Sequence, residues 1–186
     1  MGGVALRLAR TSAEAHLYME LHPCESCGES SFAPASSVVA AEGDLASRYS
    51  GTCLSCGAAR EFMFRIPEEV LLPDDEDPRF GDDRPSELLD AGEWLWLADV
   101  FASGTPADPA GTAAQGRRSA RIDLLTAASA LSEVLKFVPA GADAVPAEAL
   151  WSGRGHEVYA AEPGRFRRIR LEAVRDTYRD IAARFG

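Results

Sequence analysis

Cys24-Glu25-Ser26-Cys27-Gly28 and Cys53-Leu54-Ser55-Cys56-Gly57 contain all four cysteines of this 186-residue chain. In each, two residues separate the sulfurs and a glycine follows the second cysteine. Two cysteines three apart on a tight turn can present both thiolates to one metal ion. The trailing glycine permits the positive φ that turns the chain back and lets backbone N–H groups approach the sulfurs. Two such half-sites make a closed tetrahedral set from Cys24, Cys27, Cys53 and Cys56. Zn²⁺ favours that donor set, and a fourth sulfur leaves no open position for catalysis. The expected cofactor is therefore structural Zn²⁺. Iron in a Cys₄ site, a redox pair and two disulfides remain alternatives at this level.

Around these turns the pattern is that of short strands. His16 to His22 alternates, with Leu17, Met19 and Leu21 on one face, and predicts a strand running into the first turn. A helix over Ser12–Leu21 competes, because Thr11-Ser12-Ala13-Glu14 has capping-box form. Between the cysteine pairs lie 25 residues. They read as strands over 35–41 and 46–52 joined at Glu42-Gly43-Asp44. Arg60 to Ile66 alternates again, and Pro67 ends it.

Turn, hairpin, turn, strand is the order of a zinc ribbon. Over residues 16–67 the chain resembles the zinc-ribbon group, through Cys24, Cys27, Gly28, Cys53, Cys56 and Gly57. The resemblance implies an antiparallel ribbon closed by zinc. Members of that group act in transcription, translation, protein contacts and enzyme scaffolds, so no activity transfers.

Residues 68–93 hold eleven carboxylates against Arg79 and Arg84, nearly the whole net charge of −10. Pro73, Pro78, Gly81 and Pro85 oppose regular structure there. The segment reads as a solvated linker, or as an acidic surface for a basic partner.

The remainder reads helical. Asp90 and Glu93 form a cap for a helix ending near Ala102. Gly104 to Gly116 reads as a loop, and Arg121 to Val138 as the clearest helix. Pro146 to Ser152 suits one or two turns, and Gly164 to Phe185 a last helix. The expected fold class is α+β: an antiparallel zinc ribbon (1–67), an acidic linker (68–90) and a small helical bundle (91–186).

Candidate chemistry outside the cysteines is sparse. The histidines are His16, His22 and His156. His22 lies near Cys24 and could contribute beside the metal. His156, in the loop-like Gly153-Arg154-Gly155-His156-Glu157, invites an acid–base reading. No HExxH, nucleophile elbow, dinucleotide fingerprint or Walker A sequence accompanies it. Arg165, Arg167, Arg168 and Arg170 cluster at the start of the last helix and are a candidate anion site; a second cluster is Arg117, Arg118 and Arg121. Arg48, Arg60 and Arg65, with Tyr49 and Phe62, form a thin basic and aromatic face on the ribbon.

The basic residues are 18 Arg and one Lys, a usage associated with GC-rich bacterial genomes. Met1 to Arg10 has no apolar run of signal-peptide length, and no stretch approaches a membrane span. A cytoplasmic, reducing location is expected. The expected function is non-enzymatic protein binding, as an adaptor or as an acidic immunity or antitoxin-like protein capping a basic partner. Nucleic-acid binding through the ribbon is the competing expectation, opposed at long range by the acidic charge.

Overall fold

A computed structural model describes residues 5–41, 43–69, 71, 78–106 and 108–186. It is mixed α+β, with one three-stranded antiparallel sheet and five α-helices among the described residues. The chain divides into two compact units. One comprises Met1–Leu71 with Ser86–Leu88, the other Leu72–Pro85 with Leu89–Gly186. No helix of the described residues is long and apolar enough to cross a membrane.

In the first unit, α1 (Ser12–Leu21) occupies the stretch whose alternation predicted a strand over His16–His22. The competing helical reading has the observed bounds. Seven alternating residues fit either period, and the helix is decided by contacts outside the alternation. Thr11 Oγ1 accepts the Glu14 N–H at 3.1 Å. The Glu14 carboxylate, fully buried, accepts from the Arg10 N–H at 2.8 Å and from the Arg10 guanidinium at 2.6 Å. Ala15 and Met19, one helical turn apart, are the buried apolar pair of α1.

The sheet runs β1 (Ala35–Ala41), β2 (Asp44–Thr52) and β3 (Ala59–Arg65) in that order. Register pairs Ala41 with Asp44 across the hairpin and Tyr49 with Phe62 between β2 and β3. Gly43 takes φ +91° at the hairpin tip, which a side chain would resist. Glu42 lies outside the described residues. Residues 7–9 run beside β3 through a short parallel bridge, Arg65 N–H to Arg7 O at 2.9 Å and Ala9 N–H to Arg65 O at 3.1 Å. The face against α1 is aromatic. Tyr18 meets Phe62 and Phe64 edge-on, and His16 meets Tyr49 in the same way.

The second unit holds α2 (Ala91–Ala102), α3 (Ala114–Lys136), α4 (Gly153–Ala161) and α5 (Arg168–Ala183). Helix α3 packs against both α2 and α5, and α2 also packs against α4. Trp94, Leu95, Leu131, Val134 and Leu171 are among its most buried side chains. Asp90 and Glu93 form the expected capping box at the start of α2.

Three helix boundaries differ from expectation. Helix α3 begins at Ala114, seven residues before Arg121, so the preceding loop is shorter. The last helix is divided: a 3₁₀ turn, Pro163–Phe166, precedes α5. The Gly153–Glu157 stretch is the opening of α4 rather than a loop, because Ser152 Oγ accepts the Gly155 N–H at 2.9 Å. Its glycines misled the sequence reading. Gly155 is required by packing, since a Cβ there would run into the Asp90 carboxylate, and a Cβ at Gly92 would run into the Gly155 backbone.

Within the acidic segment, Asp74, Asp75, Glu76 and Asp77 lie outside the described residues. Of the others, Phe80, Leu88, Leu89 and Asp90 are buried. Phe80 packs on Trp94 with ring centroids 4.9 Å apart.

Candidate metal centre

The two cysteine turns are near copies. Gly28 N–H donates to Cys24 O at 2.7 Å, and Gly57 N–H to Cys53 O at 2.9 Å. Cys24 N–H reaches Glu29 O at 2.9 Å, and Cys53 N–H reaches Ala58 O at 2.8 Å. Gly28 and Gly57 adopt φ of +76° and +74°. Glycine reaches that left-handed region without the steric cost that a Cβ adds. In both turns the first cysteine is buried and the second exposed.

These turns bring all four sulfurs together. Their ligand atoms lie within 4.8 Å of one another, and among the described residues this is the one group of its kind. Cys24 Sγ is 3.7 Å from Cys56 Sγ, and Cys27 Sγ is 3.5 Å from Cys53 Sγ. All four are free thiols. A tetrahedral ion with bonds of about 2.3 Å to sulfur sets its ligands about 3.8 Å apart. The donor set and spacing therefore fit a tetrahedral thiolate-bound metal ion.

Electrostatics point the same way. The N–H groups of Cys56 and Ser55 aimed at the Cys53 sulfur bring its pKa down to about 6. At Cys56 the Ala58 N–H also favours the thiolate. The nearby Cys27 sulfur, desolvation, and then Cys24 and Cys53 outweigh it, pushing the pKa up to about 12. One thiolate is favoured, and its neighbours then resist ionising. A bound cation relieves that repulsion.

His22 is not part of the group. Its Nδ1 donates to Tyr18 O at 2.7 Å, and its ring stacks on Tyr18 at 3.8 Å. Burial lowers its pKa; the Tyr18 carbonyl opposes this and Arg7 adds to it. Beside it lies a cavity of about 380 Å³ lined by Tyr18, His22, Cys24, Arg60 and Phe62, among others.

The arginines expected to form open cationic surfaces are largely engaged. Arg60 is buried, donates to His22 O at 2.7 Å, and lies over the rings of Phe32 and Phe62 at 4.4 and 5.5 Å. Arg48 pairs with Glu61 at 2.5 Å and Arg65 with Glu87 at 3.4 Å. Tyr49 is buried.

In the second unit, Arg165 makes a two-pronged pair with Asp99 at 2.8 and 2.5 Å. Arg168 donates to the carbonyls of Val138, Pro139 and Ala142 just beyond α3. Arg170 pairs with Glu162 at 2.6 Å. Arg167 is exposed and joins Ala144 through a backbone bridge. The four share a neighbourhood in sequence, but three of the guanidinium groups point to separate internal partners. His156 is exposed on α4, its Nδ1 donating to Ser152 O at 2.8 Å.

The sequence reading missed the burial of several charged groups. Arg60 was read as part of an open face, and the only signal of its burial is the aromatic spacing of Phe62 and Phe64 on the same face. The Arg10–Glu14 pair lies at the i, i+4 spacing that allows a helical ion pair, and buried Glu133 pairs with Lys136 at i, i+3. Compared with family models, curated proteins and solved structures, the chain matches none.

Proposed function

We propose that the protein is a non-enzymatic binding module whose sheet unit is a zinc ribbon, with Zn²⁺ held by Cys24, Cys27, Cys53 and Cys56. The convergence of four free sulfurs within 4.8 Å carries this reading. Four thiolates fill every position of a tetrahedral ion, so the metal is a structural staple. It closes a unit that has a small sheet and one helix to bury, and such modules draw folding free energy from the metal.

The partner is a protein with a basic surface. The chain's net charge of −10 supports this, since complementary charge speeds and orients encounter. An adaptor in a bacterial complex and an immunity protein capping a basic toxin both take this form. The engagement of Arg48, Arg60 and Arg65 within the sheet unit weighs against a phosphate-binding face there.

Affinity capture with the full, zinc-loaded chain tests this. The expected result is a stoichiometric basic protein released by raised salt. A shift of DNA or RNA at low salt, with no protein captured, overturns it.

A further inference from the structure

Among the described residues of the sheet unit two arginines are buried, and they are served differently. Arg10 is neutralised by the Glu14 carboxylate at 2.6 Å. Arg60, only 7% exposed, has ring faces and carbonyls around it instead. Its Nη2 donates to His22 O at 2.7 Å and to Met19 O at 3.3 Å. Among the described residues no carboxylate forms an ion pair with it. Its Nη1 is buried and has no hydrogen-bond partner, and no other charged side chain of the described residues has such an atom. A buried cation with an unused donor and no counter-ion is costly to keep.

Arg60 also lines the cavity of about 380 Å³ beside the first cysteine turn. Sites for small molecules begin at about 300 Å³. The rest of the wall limits what fits. Tyr18 and Phe62 offer ring surface, edge-on to each other with centroids 6.2 Å apart, and Ala58 and Ala59 add methyl groups. Glu25 and Glu61 line it too, both exposed, and Glu61 is paired with Arg48. One unused donor with two carboxylates nearby suits a single negative charge and opposes a dianion such as phosphate.

We infer that this cavity binds a small aromatic carboxylate, whose acid group accepts from Arg60 Nη1 and whose ring lies among Tyr18, Phe62 and the two alanines. Nη1 is shielded from bulk water, so the carboxylate reaches it with the side-chain adjustments common on binding. The ion pair then forms away from water, where it is strongest. The site is built from α1, the first cysteine turn and β3, and does not depend on a basic protein partner.

The probes are phenylacetate, its uncharged isostere phenylacetamide, and inorganic phosphate, each added to the zinc-loaded full chain. Backbone amide and arginine side-chain NMR signals are followed. Phenylacetate is expected to shift the Arg60 side-chain signals and the amides of Tyr18, Ala59 and Phe62. It is expected to bind about tenfold or more tighter than phenylacetamide, since a hydrogen bond between charged groups is gained. Phosphate is expected to leave those signals in place. Arg60→Met removes the donor and is expected to erase the preference for acid over amide. Ala59→Glu, on the exposed part of the wall, serves if the first variant does not fold. It is expected to weaken phenylacetate about tenfold and phenylacetamide little. No binding of phenylacetate, equal binding of the amide, equal binding of phosphate, or an unchanged preference in the folded variant overturns the inference.

Discussion

Asp90 Oδ2 accepts the backbone N–H of Trp151, 61 residues further along the chain, at 2.8 Å. The same oxygen accepts from Ser152 at 2.7 Å, while Oδ1 accepts from Gly92 and Glu93 at the start of α2. One fully buried carboxylate thus satisfies free donors of α2 and of the turn entering α4. Asp90→Ala leaves those donors without a partner. The expected loss is about 3–5 kcal/mol, since hydrogen bonds to a charged group contribute about 1.5–3 kcal/mol each and do not simply add. Asp90→Asn keeps one accepting oxygen and is expected to lose less. Urea denaturation of both variants checks the order; a loss below about 1 kcal/mol for the alanine variant contradicts it.

Glu93 gives the second unit a pH dependence. Its pKa is raised, chiefly by burial; the Asp90 N–H opposes that, and the Asp90 charge adds to it. A carboxyl with a raised folded-state pKa binds its proton more tightly folded than unfolded. Its contribution is then fully present below the ordinary value of 4.5 and is lost as pH rises through the raised value. Glu93→Gln can still accept from the Asp90 N–H and does not titrate. Relative to Glu93→Gln, the natural chain is expected to lose stability on going from pH 4.5 upward. Denaturant midpoints across that range check this, and parallel curves contradict it.

Arg60 is expected to be structural. Its Nη2 serves the carbonyl of His22, and its plane lies over two phenylalanine rings. Lysine keeps the charge but has neither the fork nor the flat face. Arg60→Lys is expected to cost about 1–3 kcal/mol in the metal-loaded protein. Arg48→Lys, in an exposed pair, is expected to change stability by under about 0.5 kcal/mol. Thermal unfolding of the two variants side by side checks the contrast; equal effects contradict it.

The parts of this molecule legible in sequence were those written in a few adjacent residues. Cys-x-x-Cys-Gly fixes its own turn, so the gathering of Cys24, Cys27, Cys53 and Cys56 could be anticipated. The order of strands around Gly43 was readable for the same reason. Helix α1 was ambiguous, because Leu17, Met19 and Leu21 suit a strand and Ala15 with Met19 suits a helix. The Arg10–Glu14 pair that favours the helix is buried, where charge is not expected. Helix α4 was hidden behind Gly153 and Gly155, of which Gly155 is demanded by the Asp90 carboxylate rather than by a loop. Arg165, Arg168 and Arg170 read as a cluster in one dimension. Their partners Asp99, Val138 and Glu162 disperse them in three.

The central claim is an ion held by four sulfurs. Elemental analysis of freshly purified, chelator-free protein, with thiol titration of the same sample, tests it most directly. The expected result is one zinc per chain and four thiols that react only after a strong chelator is added; Cys24→Ser should lose the metal. Protein without stoichiometric metal, whose four thiols react at once or are already joined in disulfides, would contradict it.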